Sequence, residues 1–578
     1  MDKIWPCDDD ESTRFPIFTR ANTGEVFTDA ATPLTWSVLG RGVYENGYRD
    51  ALYQMGVFTP ADFRPEFEGE VVGCFGGYVY INVSLSRVLA VRTPGMDWRA
   101  IDQAFFGESS DVPPYQPHPL DENQPCSERM VEWMTSLFTA TSVPAIDSMR
   151  AEIDAMVAAR PDLTALSDDE LIARYRGIVP EMRRAFAVHI NGLYSANIVA
   201  GVLTQISAGV GMSDRVSALT AGLGGVDSAQ QSFDIWDLSR IARESVVVGA
   251  EFDRGADGVL DRLQGLDDDG ARAFLRGWAK FLDSWGFLGP SVWEMRSPTY
   301  ASHPGIPLRM IDRARRVPDS GSPQSRGGHL VAERERAAQE IAARIGDPAM
   351  LGQFQAAVAV LPLHLPAREA SKVQCTRLCD EARITLRELG QRFVGTGVLP
   401  RWQDVLLLMD DEIDSFLADP SPWAGTIRDR AERLRLLESL WPPFIFEGPP
   451  PTLDQFVPRA DDTIKPAAVG DVLTGLGASP GTHTGRARVV GSLTDDAEVD
   501  DGDVLIARTT DSSWGPLFLT AGAVVCESGA AISHAAIVSR ELGIPSAVSV
   551  EGCMSRILDG MTVLVNGDDG TVTVLEAP

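Results

Sequence analysis

Residues 529–545 read GAAISHAAIVSRELGIP, and this stretch decides how the C-terminal part of the chain folds. A glycine turn leads through one serine and one histidine into apolar residues at helical spacing. Gly543 followed by Pro545 is a normal helix ending. The pattern therefore predicts a short helix with His534 in its first turn.

A histidine in the first turn of a helix lies where an anion is favoured, because unpaired N–H groups and the positive end of the helix dipole meet there. A phosphoryl group on the imidazole would be stabilised in this place, and a neutral imidazole is a nucleophile near neutral pH. The alternative is a histidine that only packs in a capped helix. Ser533 fits both cases, as a hydrogen-bonding neighbour of the imidazole or its phosphate, or as the helix cap.

The composition is typical of a folded protein with more than one domain, with 578 residues of which 44% are apolar and 23% charged. A formal net charge of −30 argues against binding to nucleic acid or to an anionic membrane, so any phosphate site must be a local basic pocket. The N-terminus has no basic segment followed by an apolar run, and no uninterrupted apolar stretch is long enough to span a bilayer. We therefore expect a cytoplasmic protein.

The seven cysteines show no regular spacing. Cys375 and Cys379 lie four residues apart in a helical pattern, where two buried thiols are expected rather than half of a metal site. No dedicated metal site is predicted in the chain.

The pattern along the chain predicts an α/β multidomain protein. Residues 71–83 are β-branched and aromatic with glycines, which predicts strands with a tight bend. Helical periodicity dominates from about 125 to 445, and a proline-rich, semi-rigid linker and short β-rich runs follow. We predict a domain of residues 1–446, mixed α/β to about 120 and then mainly helical, a linker of residues 447–470, and a compact α/β domain of residues 471–578.

Several separated motifs surround the histidine in the C-terminal domain. They are GASPG at 477–481, GRARVV at 485–490, DVLIARTTD at 503–511 and AGAVVCE at 521–527. From about 470 to 577 this run resembles the swivelling phosphohistidine domain of the phosphoenolpyruvate-utilising enzymes, among them pyruvate phosphate dikinase, phosphoenolpyruvate synthase and rifampicin phosphotransferase. The resemblance implies a swivelling β/β/α domain in which His534 is phosphorylated. Ile532 stands where plant-type dikinases have a regulatory threonine, so control of that kind is not expected.

A second basic cluster lies near the middle of the chain. Arg368 and Lys372 are four residues apart, which places them on one face of a helix with cationic groups that can meet at one phosphate. A solvated helix face with ordinary ion pairs is the alternative. The run REASK at 368–372, followed by Arg383 and Arg387, resembles the part of rifampicin phosphotransferase that faces the incoming phosphohistidine. The resemblance implies that Arg368 and Lys372 neutralise the transferring phosphoryl group and that Arg383 and Arg387 add to phosphate binding.

The segments TRANTGEVF at 19–27 and TPLTWS at 32–37 resemble the start of the acceptor-binding domain in rifampicin phosphotransferase. Asn22, Glu25 and Thr35 could line an acceptor pocket, or they could be turn and capping residues. His364, four residues before Arg368, is the preferred candidate for a general base. Weaker candidates for the base are His303 and His329. The aromatic residues that could either shape an acceptor pocket or pack in the core are Trp36, Tyr78, Tyr80, Trp293 and Trp402.

In this family the phosphoryl group comes from ATP bound in an ATP-grasp domain or from phosphoenolpyruvate bound on a TIM barrel, and neither domain is recognised in this sequence. No Gly-x-x-x-x-Gly-Lys-Ser/Thr loop occurs, about twenty residues precede the acceptor-like segment, and the helical region lacks the strand and helix alternation of a TIM barrel. By resemblance to the split phenylphosphate and 4-methylphenyl phosphate synthases, we expect a two-subunit dikinase-type phosphotransferase. A separate ATP-grasp subunit would bind ATP and Mg²⁺ and phosphorylate His534, which would pass the group to a hydroxyl of a small phenol-like acceptor.

Three alternatives remain open from the sequence. The chain could be a rifampicin or other antibiotic phosphotransferase with a split ATP-grasp part, or a non-catalytic binding protein that keeps the fold. The donor could also be phosphoenolpyruvate. Neither a nucleic acid nor a membrane is expected as a partner.

Overall fold

A computed structural model of the protein describes residues 3–64, 69–106, 112–225, 227–319, 322–323, 329–459, 465–494, 498–530 and 533–578. The contacts divide the chain into two compact units. The first unit contains residues 1–195, 291–297 and 374–461, and the second contains residues 196–290, 298–373 and 462–578.

The first unit contains a small antiparallel sheet of four strands. Its order is Val72–Phe75, Tyr78–Asn82, Ile17–Thr19 and Ile445–Glu447. Gly76 and Gly77, with φ of 59° and 81°, form the tight turn between the first two of these strands, in a conformation that favours glycine. The strands with a bend predicted over residues 71–83 are therefore confirmed.

Helices make up most of the rest of the first unit. Short 3₁₀ segments lie at Pro60–Asp62, Leu163–Ala165, Trp402–Leu407 and Leu453–Gln455, and Trp36–Glu45 is π-helical. The α-helices within this unit are Thr23–Val26, Pro33–Thr35, Asn46–Gln54, Val83–Arg92, Arg99–Phe106, Gln124–Phe138, Pro144–Ala158, Asp410–Ala418 and Trp423–Glu438.

Two long helices, Asp168–Gly209 and Pro348–Gly395, have residues in both units. Both are long and apolar enough to cross a membrane by length and composition alone, and 56% and 33% of their most apolar windows are buried in the protein. Core helices of soluble proteins have the same properties. The second of these helices contains Pro362 and Pro366 without ending there.

The short segment 291–297 belongs to the first unit, where it is held by a buried carboxylate. Glu294 is 5% exposed and accepts hydrogen bonds from the hydroxyl groups of Thr32 and Thr35, both at 2.7 Å. The backbone N–H groups of Thr32 and Arg296 donate to the same carboxylate at 3.0 and 3.2 Å. Glu294 therefore accepts hydrogen bonds from four donors in the interior, where unmade hydrogen bonds are costly.

The second unit combines a helical part with the C-terminal sheet domain. Its sheet order is Val472–Thr474, Thr571–Glu576, Thr562–Asn566, Thr482–Val490, Val504–Ala507, Ala523–Cys526, Ser546–Val548 and Leu476–Ser479. The four strands from Thr482–Val490 to Ser546–Val548 are parallel. The other helices of this unit are Val216–Leu219, Asp227–Glu244, Val246–Asp253, Val259–Gln264, Asp269–Trp285, Gly305–Ala314, Leu330–Ala342, His534–Leu542 and Cys553–Arg556, with 3₁₀ segments Ser213–Arg215 and Ser512–Leu519.

One apolar core joins the helical part of the second unit to the sheet domain. All eight residues of Ser512–Leu519 are buried, and Trp514, Leu517 and Phe518 share a cluster with side chains of the Asp227–Glu244 and Asp269–Trp285 helices. The buried hydroxyl of Tyr300 donates to the carbonyl of Ser513 at 2.7 Å. The sheet domain is thus docked on the helical part by apolar and polar contacts.

The predicted α/β multidomain class, with a mainly helical part, a small β portion and a C-terminal sheet domain, is confirmed. The contact units do not follow the predicted boundaries, because residues 462–578 share a unit with residues 196–290 and 298–373. The division into 1–446, 447–470 and 471–578 stays a prediction. Within the predicted linker, Val457–Pro458 pairs with Leu440–Trp441, and residues 460–464 lie outside the described residues.

Replacing Glu294 tests the anchoring of the 291–297 segment. Glu294→Ala leaves buried donors without an acceptor, and we expect the free energy of unfolding of the first unit to fall by about 3 kcal/mol. Glu438→Ala is the matched control, because that half-buried carboxylate pairs with Arg296 and its loss should cost less than about 1 kcal/mol. Denaturant unfolding followed by circular dichroism measures both, and equal losses would contradict the role given to Glu294.

Candidate functional site

Two neighbouring parallel strands bring the candidate site together. Val504–Ala507 pairs with Ala523–Cys526, with Ala507 opposite Cys526. The loops that follow stay together, since the N–H groups of Glu527 and Ser528 donate to the carbonyls of Ala507 and Arg508 at 3.0 and 2.8 Å. An ion pair between Arg508 and Glu527 joins the same loops. Residues that follow both strands therefore lie at one edge of the sheet, where α/β proteins commonly bind ligands.

The loop after Ala523–Cys526 leads into the His534–Leu542 helix. Ser533 is the N-cap, with φ −64° and ψ 166°, and its hydroxyl oxygen lies 3.5 Å from the N–H of Ala536. Gly543 ends the helix in the left-handed conformation, with φ 65°. The predicted helix and the position of His534 in its first turn are confirmed.

The imidazole of His534 is held on one nitrogen and unpaired on the other. Nδ1 lies 3.0 Å from the hydroxyl of Thr510, and the ring of Phe518 approaches edge-on with its centroid 6.2 Å away. Nε2 is buried and has no hydrogen-bond partner among the described residues. In the tautomer with the proton on Nδ1, that N–H donates to Thr510 and the lone pair is on Nε2.

Two cations lie close enough to act on the imidazole. Burial, followed by the charges of Lys372 and Arg368, holds the pKa of His534 well below its ordinary value of 6.5. The imidazole is therefore neutral at pH 7 and keeps a nucleophilic lone pair. Protonation would place a third positive charge beside the two cations, whereas a phosphoryl group would bring negative charge to them.

The structure thus brings together three of the predicted site residues, His534, Arg368 and Lys372. His534 lies more than 160 positions after Arg368 and Lys372 in the sequence, and all three residues lie in the second unit. Ser533 is also present at the site as the helix cap, and its contact with a phosphate stays a prediction. Ile532 lies outside the described residues.

Arg383 and Arg387, predicted to bind phosphate, lie in the first unit. The buried guanidinium of Arg383 bonds to Asp380 at 2.8 Å and to the carbonyl of Val292. Arg387 lies 6.0 Å from the centroid of the Trp402 ring. These contacts are structural ones, and a phosphate-binding role for either arginine stays a prediction.

The predicted acceptor residues also belong to the first unit. Asn22 is exposed, and Glu25 is half-buried in the Thr23–Val26 helix. Thr35 is buried against Glu294. Four of the five aromatic candidates have defined packing or hydrogen-bonding roles: Trp36 donates to Asp9, Tyr78 to the carbonyl of Leu437, Tyr80 to the carbonyl of Pro443, and Trp402 packs under Arg387.

Trp293 is the fifth aromatic candidate and is packed differently. Its ring lies in a buried group with Tyr44 and Phe186, at centroid distances of 5.5 and 5.9 Å. Its indole N–H has no hydrogen-bond partner among the described residues.

The three histidines considered as general bases differ in environment. His364 is 4% exposed and lies one helical turn before Arg368 in the second unit. His303 and His329 are exposed. Cys375 and Cys379 are both buried as expected, and no cluster of three or more potential metal ligands occurs among the residues that the structure describes.

Thr510 is the site residue that sequence reasoning missed. It is part of the DVLIARTTD motif, yet the motif by itself assigns it no role. A signal was present, since Thr510 comes three residues after a predicted strand and His534 follows the next predicted strand. Parallel pairing of those two strands would have placed both residues at the same edge.

Comparison with known families matches two parts of the chain. Residues 184–369 match the rifampicin phosphotransferase fourth domain, and residues 499–570 match the mobile domain of PEP-utilising enzymes. The first match includes Arg368 and the second includes Thr510 and His534.

Several curated proteins are similar over most or part of the chain. An uncharacterised protein of Mycobacterium tuberculosis is 26% identical over 585 residues, covering 97% of this chain and 62% of that protein. The prodigiosin synthesizing transferase PigC of Serratia marcescens is 25% identical, covering 96% of this chain and 63% of that protein. A rifampicin phosphotransferase of Streptomyces sviceus is 26% identical, covering 55% of this chain and 37% of that enzyme.

The chain therefore spans about three fifths of the length of the curated relatives that match it throughout. Two family matches and relatives with transferase names agree with the site geometry around His534. Residues 184–369 and 499–570 are thus similar to parts of the rifampicin phosphotransferases and of the PEP-utilising enzymes.

Proposed function

We propose that the chain carries a phosphoryl group on His534 and delivers it to a hydroxyl of a small aromatic acceptor. One observation carries this proposal: a buried, neutral imidazole has an unpaired Nε2 beside Lys372 and Arg368. A packing histidine would pair both nitrogens or expose one to water, because an unpaired buried polar atom is costly. A phosphoryl group on Nε2 would supply the missing partner and the missing negative charge.

The phosphoryl group would come from a separate ATP-grasp subunit that binds ATP and Mg²⁺. In the proposed reaction the β-phosphoryl group of ATP is transferred to Nε2, and AMP and inorganic phosphate are released with consumption of one water. His534 then carries the group to the site formed by Lys372 and Arg368. The assignment of a separate donor subunit rests on the resemblance of the chain to the split phenylphosphate and 4-methylphenyl phosphate synthases.

Transfer to the acceptor breaks the Nε2–P bond and forms an O–P bond, and the nitrogen regains its lone pair. The transition state is loose, so positioning and charge neutralisation supply most of the rate. Lys372 and Arg368 would neutralise the transferring group. The hydroxyl proton must pass to a base, for which His364 is proposed because it lies in the same helix one turn before Arg368.

A phenol-like acceptor is our first choice, because the chain resembles the split phenylphosphate synthases. A rifampicin-type hydroxyl is the second candidate, supported by the match of residues 184–369 to the rifampicin phosphotransferase fourth domain. Phenol, 4-methylphenol and rifampicin offered in parallel to phosphorylated protein separate the two.

The first test is phosphorylation of His534. The chain is incubated with ATP labelled at the β position, with and without an ATP-grasp protein encoded beside it, and acid-labile label is measured. We expect label only with the partner, and none in His534→Ala, because the imidazole is the proposed carrier. Stable labelling of His534→Ala would contradict the proposal, and labelling of the native chain alone would remove the need for a second subunit.

The second test separates the two half-reactions. Lys372→Met and Arg368→Met remove the positive charges at the site, and we expect transfer to the acceptor to slow by about 100-fold or more. Labelling of His534 should remain, because the donor step takes place on the partner. Rapid-quench measurement of label leaving the phosphorylated protein gives the rate.

Arg377→Met is the matched control for these two variants. It lies in the same helix, but its side chain pairs with Asp154 at 2.6 Å in the first unit. The rate of phosphoryl transfer by Arg377→Met should equal that of the native chain. Normal transfer by Lys372→Met would show that this lysine does not neutralise the phosphoryl group.

The third test concerns the tautomer of His534. Thr510→Val keeps the shape of the side chain but removes the hydroxyl that accepts from Nδ1, and we expect transfer to slow about tenfold, as for loss of one hydrogen bond. ³¹P NMR of the denatured phosphoprotein should show only Nε2 phosphorylation in the native chain and a mixture with Nδ1 in the variant. Thr509→Val makes the same hydroxyl-to-methyl replacement at a buried neighbour and is the control, which should behave as the native chain.

A further inference from the structure

A glycine-rich loop in the helical part of the second unit forms an anion-binding cradle. Gly222 and Gly224 have φ of 61° and 69°, a conformation that favours glycine. A Cβ on Gly222 would also lie 2.7 Å from the Cβ of Leu330. Successive backbone N–H groups in such a turn point to one side and bind anions. We call residues 222–224 the cradle.

The cradle is occupied by a side chain of the phosphohistidine domain. The N–H of Leu223 donates to Glu541 at 3.0 Å, and the backbone N–H groups of Gly224 and Gly222 also favour the charged form of this carboxylate. Burial raises the pKa of Glu541, and these N–H groups together with the charge of Arg334 oppose that rise. The carboxylate is therefore bound in the way that an anionic ligand would be.

Arg334 also holds the cradle. Its guanidinium donates to the carbonyl of Ala221 at 3.2 Å and to the carbonyl of Gly222. These contacts tie the loop to the Leu330–Ala342 helix and leave its N–H groups available to Glu541. The cradle is thus built by the helical part, and only its occupant comes from the sheet domain.

Glu541 and His534 lie on one face of the same helix. They are seven residues apart, which is about two turns and about 10 Å along the axis. A rigid helix held at Glu541 consequently fixes the direction in which its other end, with the imidazole, is presented. Lys372 and Arg368 act on the imidazole from the same helical part that contains the cradle.

We propose that Glu541 is a positioning residue that docks the phosphohistidine helix in the cradle and thereby aligns His534 with Lys372 and Arg368. This inference rests on the proposed function for its role in transfer, but the docking contact stands independently of it. The apolar surfaces around Phe518 give attraction without direction. Hydrogen bonds from the cradle to a carboxylate are directional, so Glu541 fixes the position and orientation of the His534–Leu542 helix relative to residues 222–224. Because a buried charge gains little net free energy on docking, the contact can also be released when the domain moves to the donor.

The test uses Glu541→Gln in the full chain together with the donor partner. We expect labelling of His534 to be unchanged and transfer to the acceptor to slow about tenfold, since a charge-assisted contact is weakened. Hydrogen exchange followed by mass spectrometry should show the amides of residues 222–224 exchanging about tenfold faster. Glu551→Gln removes the same charge from an exposed position in the same domain and should change neither quantity.

A second variant approaches the contact from the cradle. Gly224→Ala has free space for its Cβ but disfavours the left-handed backbone that the cradle requires. Gly211→Ala is its control, because Gly211 has φ 71° and equally free space but lies outside the cradle. We expect only Gly224→Ala to reproduce the slower transfer with normal labelling of His534.

The outcomes separate docking from phosphotransfer. If no acceptor is phosphorylated by the native chain, faster exchange at residues 222–224 in Glu541→Gln still supports docking while the proposed function fails. Unchanged exchange and unchanged transfer in both Glu541→Gln and Gly224→Ala would overturn the positioning role. An equal loss of His534 labelling and of transfer would overturn it as well, because a docking residue at the acceptor station should spare the donor step.

Discussion

The unpaired Nε2 of His534 beside two cations is the constraint on which the rest of the second unit depends. A buried nitrogen without a partner costs about 1–3 kcal/mol, and cations near an imidazole add to the cost of protonating it. Such an arrangement persists only if the surrounding structure enforces it. Here the parallel strands, the Ser533 cap and the Thr510 contact hold the ring, while the helix that carries Arg368 and Lys372 supplies the charge.

The charge distribution is consistent with the proposed role of His534 as a phosphoryl carrier. The chain has a formal net charge of −30, so a phosphorylated histidine would be repelled by most of the molecule. A local pair of cations at the site reverses this effect over a short range, since solvent and salt screen the remaining charges beyond about 10 Å. A phosphorylated His534 should therefore prefer the docked position more strongly than the free imidazole does.

The proposed movement of the C-terminal sheet domain has a physical requirement of its own. In the docked position every residue of Ser512–Leu519 is buried, and Trp514 and Phe518 share a core with the helical part. Leaving that position exposes the apolar side chains to water unless another surface covers them. The proposed donor subunit would consequently need an apolar surface next to its nucleotide site.

Local patterns in the sequence determined the strands around residues 71–83, the helix that begins at His534, its ending at Gly543 and the α/β class, because periodicity, caps and glycine turns act over a few residues. The resemblance to the phosphohistidine enzymes singled out His534, Arg368 and Lys372, which the structure places together. Only the tertiary structure decided that Thr510 holds the imidazole, that Thr35 serves the buried Glu294, and that Glu541 occupies the cradle of residues 222–224. Each of those contacts joins residues 24 to more than 300 positions apart, and such pairs are set by strand order and by packing between elements, for which no short sequence pattern exists.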